Sequence, residues 1–171
     1  KSIQGRVLEC KPRDLALVLY SMSKADRLSR KLLAAVTPEL QRNISDTSQY
    51  SPQDVSMILW ALAAGRSNLR ATIAPDLMSR LSGYVTKNAR SFSPESLTVT
   101  ALSFTRMGFR HQRVLVDIYR AIYGSIEKFN TSQLAMCFFC LSMSGLKDDA
   151  VFRALAHQLE NRIPRANQQD V

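Results

Sequence analysis

Tyr50-Ser51-Pro52-Gln53-Asp54-Val55 is a phrase that the chain writes four times. It returns as Phe92-Ser93-Pro94-Glu95-Ser96-Leu97, as Phe129-Asn130-Thr131-Ser132-Gln133-Leu134 and, more faintly, as Cys10-Lys11-Pro12-Arg13-Asp14-Leu15. From Leu15 through Val55 and Leu97 to Leu134 the intervals are 40, 42 and 37 residues. Repeats of that length are pairs of helices that bury their apolar faces by stacking on their neighbours. The phrase therefore predicts an all-α chain, an α-solenoid of about four helix-turn-helix repeats. They are expected over 10–49, 50–91, 92–128 and 129–164 of one domain, 1–164, with a polar tail at 165–171.

Each copy holds the parts of a helix N-terminus in order. Ser51, Ser93 or Asn130 supplies an oxygen that caps free amides, and Pro52 or Pro94 takes the first helical position, where no amide hydrogen is needed. Asp54 and Gln133 stand where they can close a capping box. Tyr50, Phe92 and Phe129 precede the caps, and Val55, Leu97 and Leu134 follow at the spacing of a hydrophobic staple. Copy one, with Lys11 at the cap, is expected to enter its helix more loosely.

The copies then stay in register as Leu19/Leu59/Ala101/Phe138, Tyr20/Trp60/Leu102/Phe139 and Met22/Leu62/Phe104/Leu141, all read as core. Gly65, Gly108 and Gly145 follow, where a left-handed residue can end the helix; copy one lacks the glycine. Second helices are expected over Arg27–Ile44, Leu69–Ala89, Gln112–Glu127 and Asp148–Ile163. Pro38 and Pro75 fall inside two of them and predict a kink or short break.

Composition bounds the class. With 171 residues, 46% apolar and 22% charged, the chain reads as a soluble globular domain. Its longest apolar stretches, Leu15–Met22 and Leu134–Met143, fall short of the roughly 18 residues of a membrane span. Three scattered cysteines point away from a secreted disulfide framework and toward a reducing interior. A start at Lys1 without methionine suggests a processed or excerpted product, and stacked repeats with short ends suggest a longer parent chain or a docked end.

The formal charge of +9 is concentrated in the middle. Leu62–Arg113 carries eight basic and two acidic residues, against nine and six before it and six and six after it. Arg106, Arg110, His111 and Arg113 cluster at the turn of the third unit, Arg66 and Arg70 at that of the second, and Lys24 and Arg27 at that of the first. Stacking would set these eight on one edge as a basic stripe suited to a phosphate backbone; a solvated positive face is the other reading. Variable positions of the first helices are candidate base readers: Arg13/Gln53/Glu95/Ser132, Ala16/Ser56/Thr98/Ala135 and Ser23/Ala63/Thr105/Ser142.

Other motifs read as structure. Cys137-Phe138-Phe139-Cys140 has redox and zinc spacing but sits inside a helix and lacks partner ligands, so it reads as packing. Trp60, Phe104, Phe138 and Phe139 occupy aligned apolar slots and are assigned to the core rather than to base stacking. His157 reads as a surface or boundary residue. No phosphate loop, nucleophile elbow or HExxH motif is present, so neither an enzyme nor a cofactor, metal or small-molecule substrate is expected.

The repeated aromatic-Ser-Pro-Gln/Glu-Asp/Ser-apolar phrase, continued by Leu59-Trp60-Ala61-Leu62-Ala63, resembles organellar helical-repeat proteins. These are the octotricopeptide and heptatricopeptide repeats and the helical region of FAST-kinase-like, RAP-domain proteins. The resemblance covers about Cys10 to Ile163, without a RAP-like domain after the repeats and with irregular unit lengths. It implies a protein of the mitochondrial matrix, or of plastids, that binds organellar rRNA or mRNA, including as a subunit of the mitochondrial ribosome. The alternative is a protein-interaction scaffold in a large ribonucleoprotein assembly, with little RNA contact of its own.

Overall fold

A computed structural model describes residues 10–44, 46, 48–65, 72–109, 111–146 and 149–166. Among the described residues the chain is all-helical. Its α-helices are α1 (Pro12–Lys24), α2 (Arg30–Asn43), α3 (Pro52–Ala64), α4 (Pro75–Asn88), α5 (Pro94–Arg106), α6 (Gln112–Tyr123), α7 (Thr131–Ser144) and α8 (Asp149–Ala166). Single 3-10 turns, Ala89–Ser91 and Ile126–Lys128, lead into the third and fourth copies of the phrase.

The first helices of the units form one layer, α1 on α3 on α5 on α7; the second helices form the other, α2 on α4 on α6 on α8. This alternation of two layers is that of an α-solenoid. Local chemistry sets the helix starts. Ser51 accepts from the Asp54 amide while the Asp54 carboxylate accepts from the Ser51 amide, and Asn130 and Gln133 close the same box. Ser93 caps through the Ser96 amide, whereas Lys11 makes no side-chain cap. Each such cap is worth about 1 kcal/mol. Both members of each expected staple are buried: Tyr50, Phe92 and Phe129, and Val55, Leu97 and Leu134.

The core runs continuously between the layers. Leu19, Leu59 and Ala101 are fully buried from the first layer, against Leu40, Leu81, Ile118 and Leu155 of the second. Polar bonds also tie the helices together, one between units one and two and one within unit two. The Ser23 hydroxyl donates to the Ala61 carbonyl at 3.0 Å, and the buried Tyr84 hydroxyl donates to the Tyr50 carbonyl at 2.7 Å.

The structure corrects several expectations. Pro75 is the first residue of α4, where proline needs no amide partner, and 72–74 before it are not helical; the start expected at Leu69 lies outside the described residues. Helix α2 begins at Arg30 because Ser29 caps it through the Leu32 amide. That helix continues through Pro38, which lies on its exposed side; the Ala34 carbonyl that proline leaves without an amide is solvent-side too. Helix α6 ends at Tyr123, ahead of Gly124.

The helix exits divide in an unexpected way. Gly108 and Gly145 are left-handed, with φ of 65° and 70°, but Gly65 leaves its helix extended at φ −56°. Asp26 takes the left-handed place in unit one, with φ 54°. Units one and three then close alike: the Arg27 amide reaches the Met22 carbonyl and the Asp26 amide that of Ser23, just as Phe109 reaches Phe104 and Gly108 reaches Thr105. This double bond is the Schellman reversal.

Candidate nucleic-acid interface

Of the eight predicted basic residues, Arg66, Arg70 and Arg110 lie outside the described residues. Lys24 ends α1, exposed, with its ammonium 5.7 Å from the centre of the Tyr20 ring. Arg27 follows the reversal at Asp26 and is also exposed. Arg106 ends α5, while His111 and Arg113 open α6, all three exposed. Around this turn the arginines part. Arg106 lines a groove between α5 and α7, and His111 and Arg113 line a cleft between α4 and α6.

The α4–α6 cleft has a volume of about 570 Å³. Its floor comes from Met78, Gly83 and Phe109, and Lys87, His111 and Arg113 bring positive charge to it. A ladder of rings leads outward to it: buried Phe104 stacks on Phe109 at 4.9 Å, and Phe109 on exposed His111 at 5.9 Å with planes only 12° apart. Lys87 also lines an adjoining pocket of about 200 Å³, together with Arg90, Arg120 and Asp117. Lys87, Arg90, Arg113 and Arg120 are exposed, and among the described residues none is in an ion pair. Helix α6 has neither an acid in its first turn nor a side-chain cap, so Arg113 stands at the positive end of a helix dipole. The charge there is unfavourable to the isolated fold.

Lys87, Arg90 and Arg120 were not singled out by sequence. Arg120 lies 30 residues beyond Arg90 in the chain and joins Lys87 and Arg90 only because α4 packs on α6. The available signal was the basic excess of Leu62–Arg113, which contains two of the three.

The first-layer surface is different. The row Tyr20/Trp60/Leu102/Phe139, read as core, is half-buried at its first three positions and 49% exposed at Phe139. Tyr20 and Trp60 rings pair across units at 4.8 Å. A groove of about 800 Å³ between α5 and α7 is lined by Leu102, Met136, Phe139 and Met143, with Arg106 beside them. Of the candidate base readers, Arg13, Gln53, Glu95 and Ser132 are exposed. Ala16, Ser56 and Thr98 are instead buried where first helices stack, and Ala63 is buried too. Small side chains allow close helix approach there, and the hydroxyls are consumed internally: Ser56 donates to Gln53 and Thr98 to Pro94.

Cys137 and Cys140 are fully buried. Burial pushes the Cys137 thiol up to about 12 and raises Cys140 as well, so neither supplies a thiolate near neutral pH. Cys137 packs with its sulfur 3.6 Å from the Thr98 hydroxyl. His157 is exposed and lies 3.0 Å from the Asn161 amide nitrogen, which suits the surface role expected of it. Among the described residues no group of three or more His, Cys, Asp or Glu is arranged to hold a metal, and no helix is long and apolar enough to cross a membrane.

No protein-family model matches the chain, and a comparison with curated proteins finds no match either.

Proposed function

We propose that the protein is an RNA-binding helical-repeat protein acting on organellar, chiefly mitochondrial, rRNA or mRNA within a ribonucleoprotein assembly such as the mitochondrial ribosome. The observation that carries the RNA reading is the exposed cationic set Lys87, Arg90, Arg113 and Arg120, without ion pairs among the described residues, beside the ring ladder ending at His111. Unneutralised cations next to aromatic faces suit a strand that offers phosphates and unstacked bases. Lys24 and Arg27, exposed at the turn of the first unit, are further candidates for phosphate contacts. The organellar setting rests on the repeated phrase and its resemblance.

The test is crosslinking in mitochondrial extract followed by sequencing of the recovered RNA, for the wild type and for Arg106→Glu/Arg110→Glu/Arg113→Glu. Discrete rRNA or mRNA sites that vanish in the variant, with folding intact, are expected. Background RNA alone for the wild type contradicts the reading.

The α5–α7 groove favours a second reading, a scaffold within the same class of assembly. Phe139 and Met143 are 49% and 60% exposed there beside Arg106. Its occupant would be an amphipathic helix of another protein, apolar toward the groove and carrying a carboxylate toward Arg106. Phe139→Glu would release such a partner from the particle while RNA crosslinks persist.

A further inference from the structure

We infer that the α4–α6 cleft is a site for a single phosphorylated nucleotide of an RNA strand, with its base in the Phe109–His111 end and its phosphate on Lys87, Arg90 and Arg120. The inference rests on the RNA reading above and adds where the strand is gripped: on the second-layer face, not on the first helices.

Three observations converge on it. The cleft volume of about 570 Å³ is that of a small-ligand pocket, with Met78 and Phe109 among polar side chains such as Ser82, Lys87 and His111. Thr86 and Lys87 line both this cleft and the cationic pocket, so the two adjoin along α4. Gly83 and Lys87 are one turn apart, about 6 Å along the helix axis, on the scale of the separation between a base and its phosphate. Asp117, in the cationic chamber, is an acceptor suited to a ribose hydroxyl.

The third observation is Gly83 itself. Glycine inside a helix is less stable than alanine by roughly 0.5–1 kcal/mol, and Gly83 sits in the middle of α4. No neighbouring atom lies within 4 Å of where its Cβ would be, and its φ is outside the left-handed range, so neither packing nor backbone geometry requires a glycine. Its effect is to keep the cleft floor open. Gly83 lines the same cleft as Met78 and Phe109, so a side chain at position 83 would enter the space assigned to the base.

The decisive variant is therefore one that improves the helix and fills the site. Binding of a fluorescein-labelled oligo(U) and oligo(A) RNA to the full chain is measured by anisotropy, alongside thermal melting. Gly83→Leu is expected to melt no lower than the wild type yet to bind about tenfold more weakly, the scale of one lost base stack. Lys87→Gln/Arg120→Gln, confined to exposed side chains, is expected to weaken binding with a shallower salt dependence, by about 0.7 in slope for the one phosphate they hold. Should the wild type bind RNA while both variants match it in affinity and salt slope, the cleft assignment is overturned and the RNA reading stands. A wild type that binds neither RNA overturns both. If Gly83→Leu fails to fold, the Lys87→Gln/Arg120→Gln slope decides alone.

Discussion

The groove between α5 and α7 and the cleft between α4 and α6 are made in the same way, by stacking one repeat on the next, yet they carry opposite chemistry. The first shows Leu102, Met136, Phe139 and Met143 around one arginine. The second joins Met78 and Phe109 to Lys87, Arg90, Arg113, Arg120 and His111. A solenoid holds its layers together through a shared interior, so the outward faces of each layer are released from packing and can diverge. Here the first layer keeps apolar side chains and the second gathers cations. Lys87, Arg90, Arg113 and Arg120 thus lie on a different surface from Leu102 and Phe139.

The most disruptive way to break the contrast is to remove what both surfaces share. Leu59 is fully buried in α3, and Leu59→Ala is expected to cost about 2–5 kcal/mol in urea unfolding. Both surfaces should weaken together. A loss under about 1 kcal/mol would mean that the layers are not joined through this core.

Alkali attacks the same interior. Desolvation raises Tyr50 from 10.0 to about 12 and Cys137 from 9.0 to about 12, and raises Tyr119 too. Each is neutral when protonated, so its folded-state pKa lies above its unfolded one. Their contribution is complete below about pH 9 and is lost as pH rises through 9 to 12, because the unfolded chain ionises first. Melting temperature should hold near pH 8 and fall steadily by pH 11. A flat profile would show these groups to be hydrated.

Sharper still is a pair of single changes on the two surfaces. Lys87→Glu is expected to lower RNA affinity about tenfold or more, while Phe139→Glu leaves it within about twofold and changes unfolding free energy by under about 1 kcal/mol. Equal losses from the two would merge the surfaces again.

The smallest expected effect concerns the turns that frame them. Gly108→Ala at φ 65° should cost about 1 kcal/mol, whereas Gly65→Ala at φ −56° should cost little or nothing. Comparable penalties in thermal melts would deny the different exits of units two and three.

Legibility in the sequence followed the range of the forces involved. Caps and staples act within six residues, so Ser51 with Asp54, Asn130 with Gln133 and the four starts of the first helices could be read directly. Periodicity identified the apolar rows but could not orient them. Tyr20, Trp60, Leu102 and Phe139 repeat at core spacing yet line the free side of the first layer, because the opposite side already fills the interior. Glycine at a constant offset marked Gly108 and Gly145 correctly and misled at Gly65, while Asp26 showed that a short polar residue can hold the same backbone. Among the basic residues, those clustered at the turns were visible; the joining of Arg120 to Lys87 and Arg90 was not, since only helix packing brings Arg120 to them.

The most direct measurement is the salt dependence of RNA affinity for the wild type and for Lys87→Gln/Arg90→Gln/Arg120→Gln. Six engaged phosphates give a slope of about −4 in log affinity against log salt for single-stranded RNA, and the loss of the one held by Lys87, Arg90 and Arg120 makes it shallower by about 0.7. A wild-type affinity indifferent to salt, or a slope that the triple variant leaves unchanged, would contradict an RNA grip on the α4–α6 face.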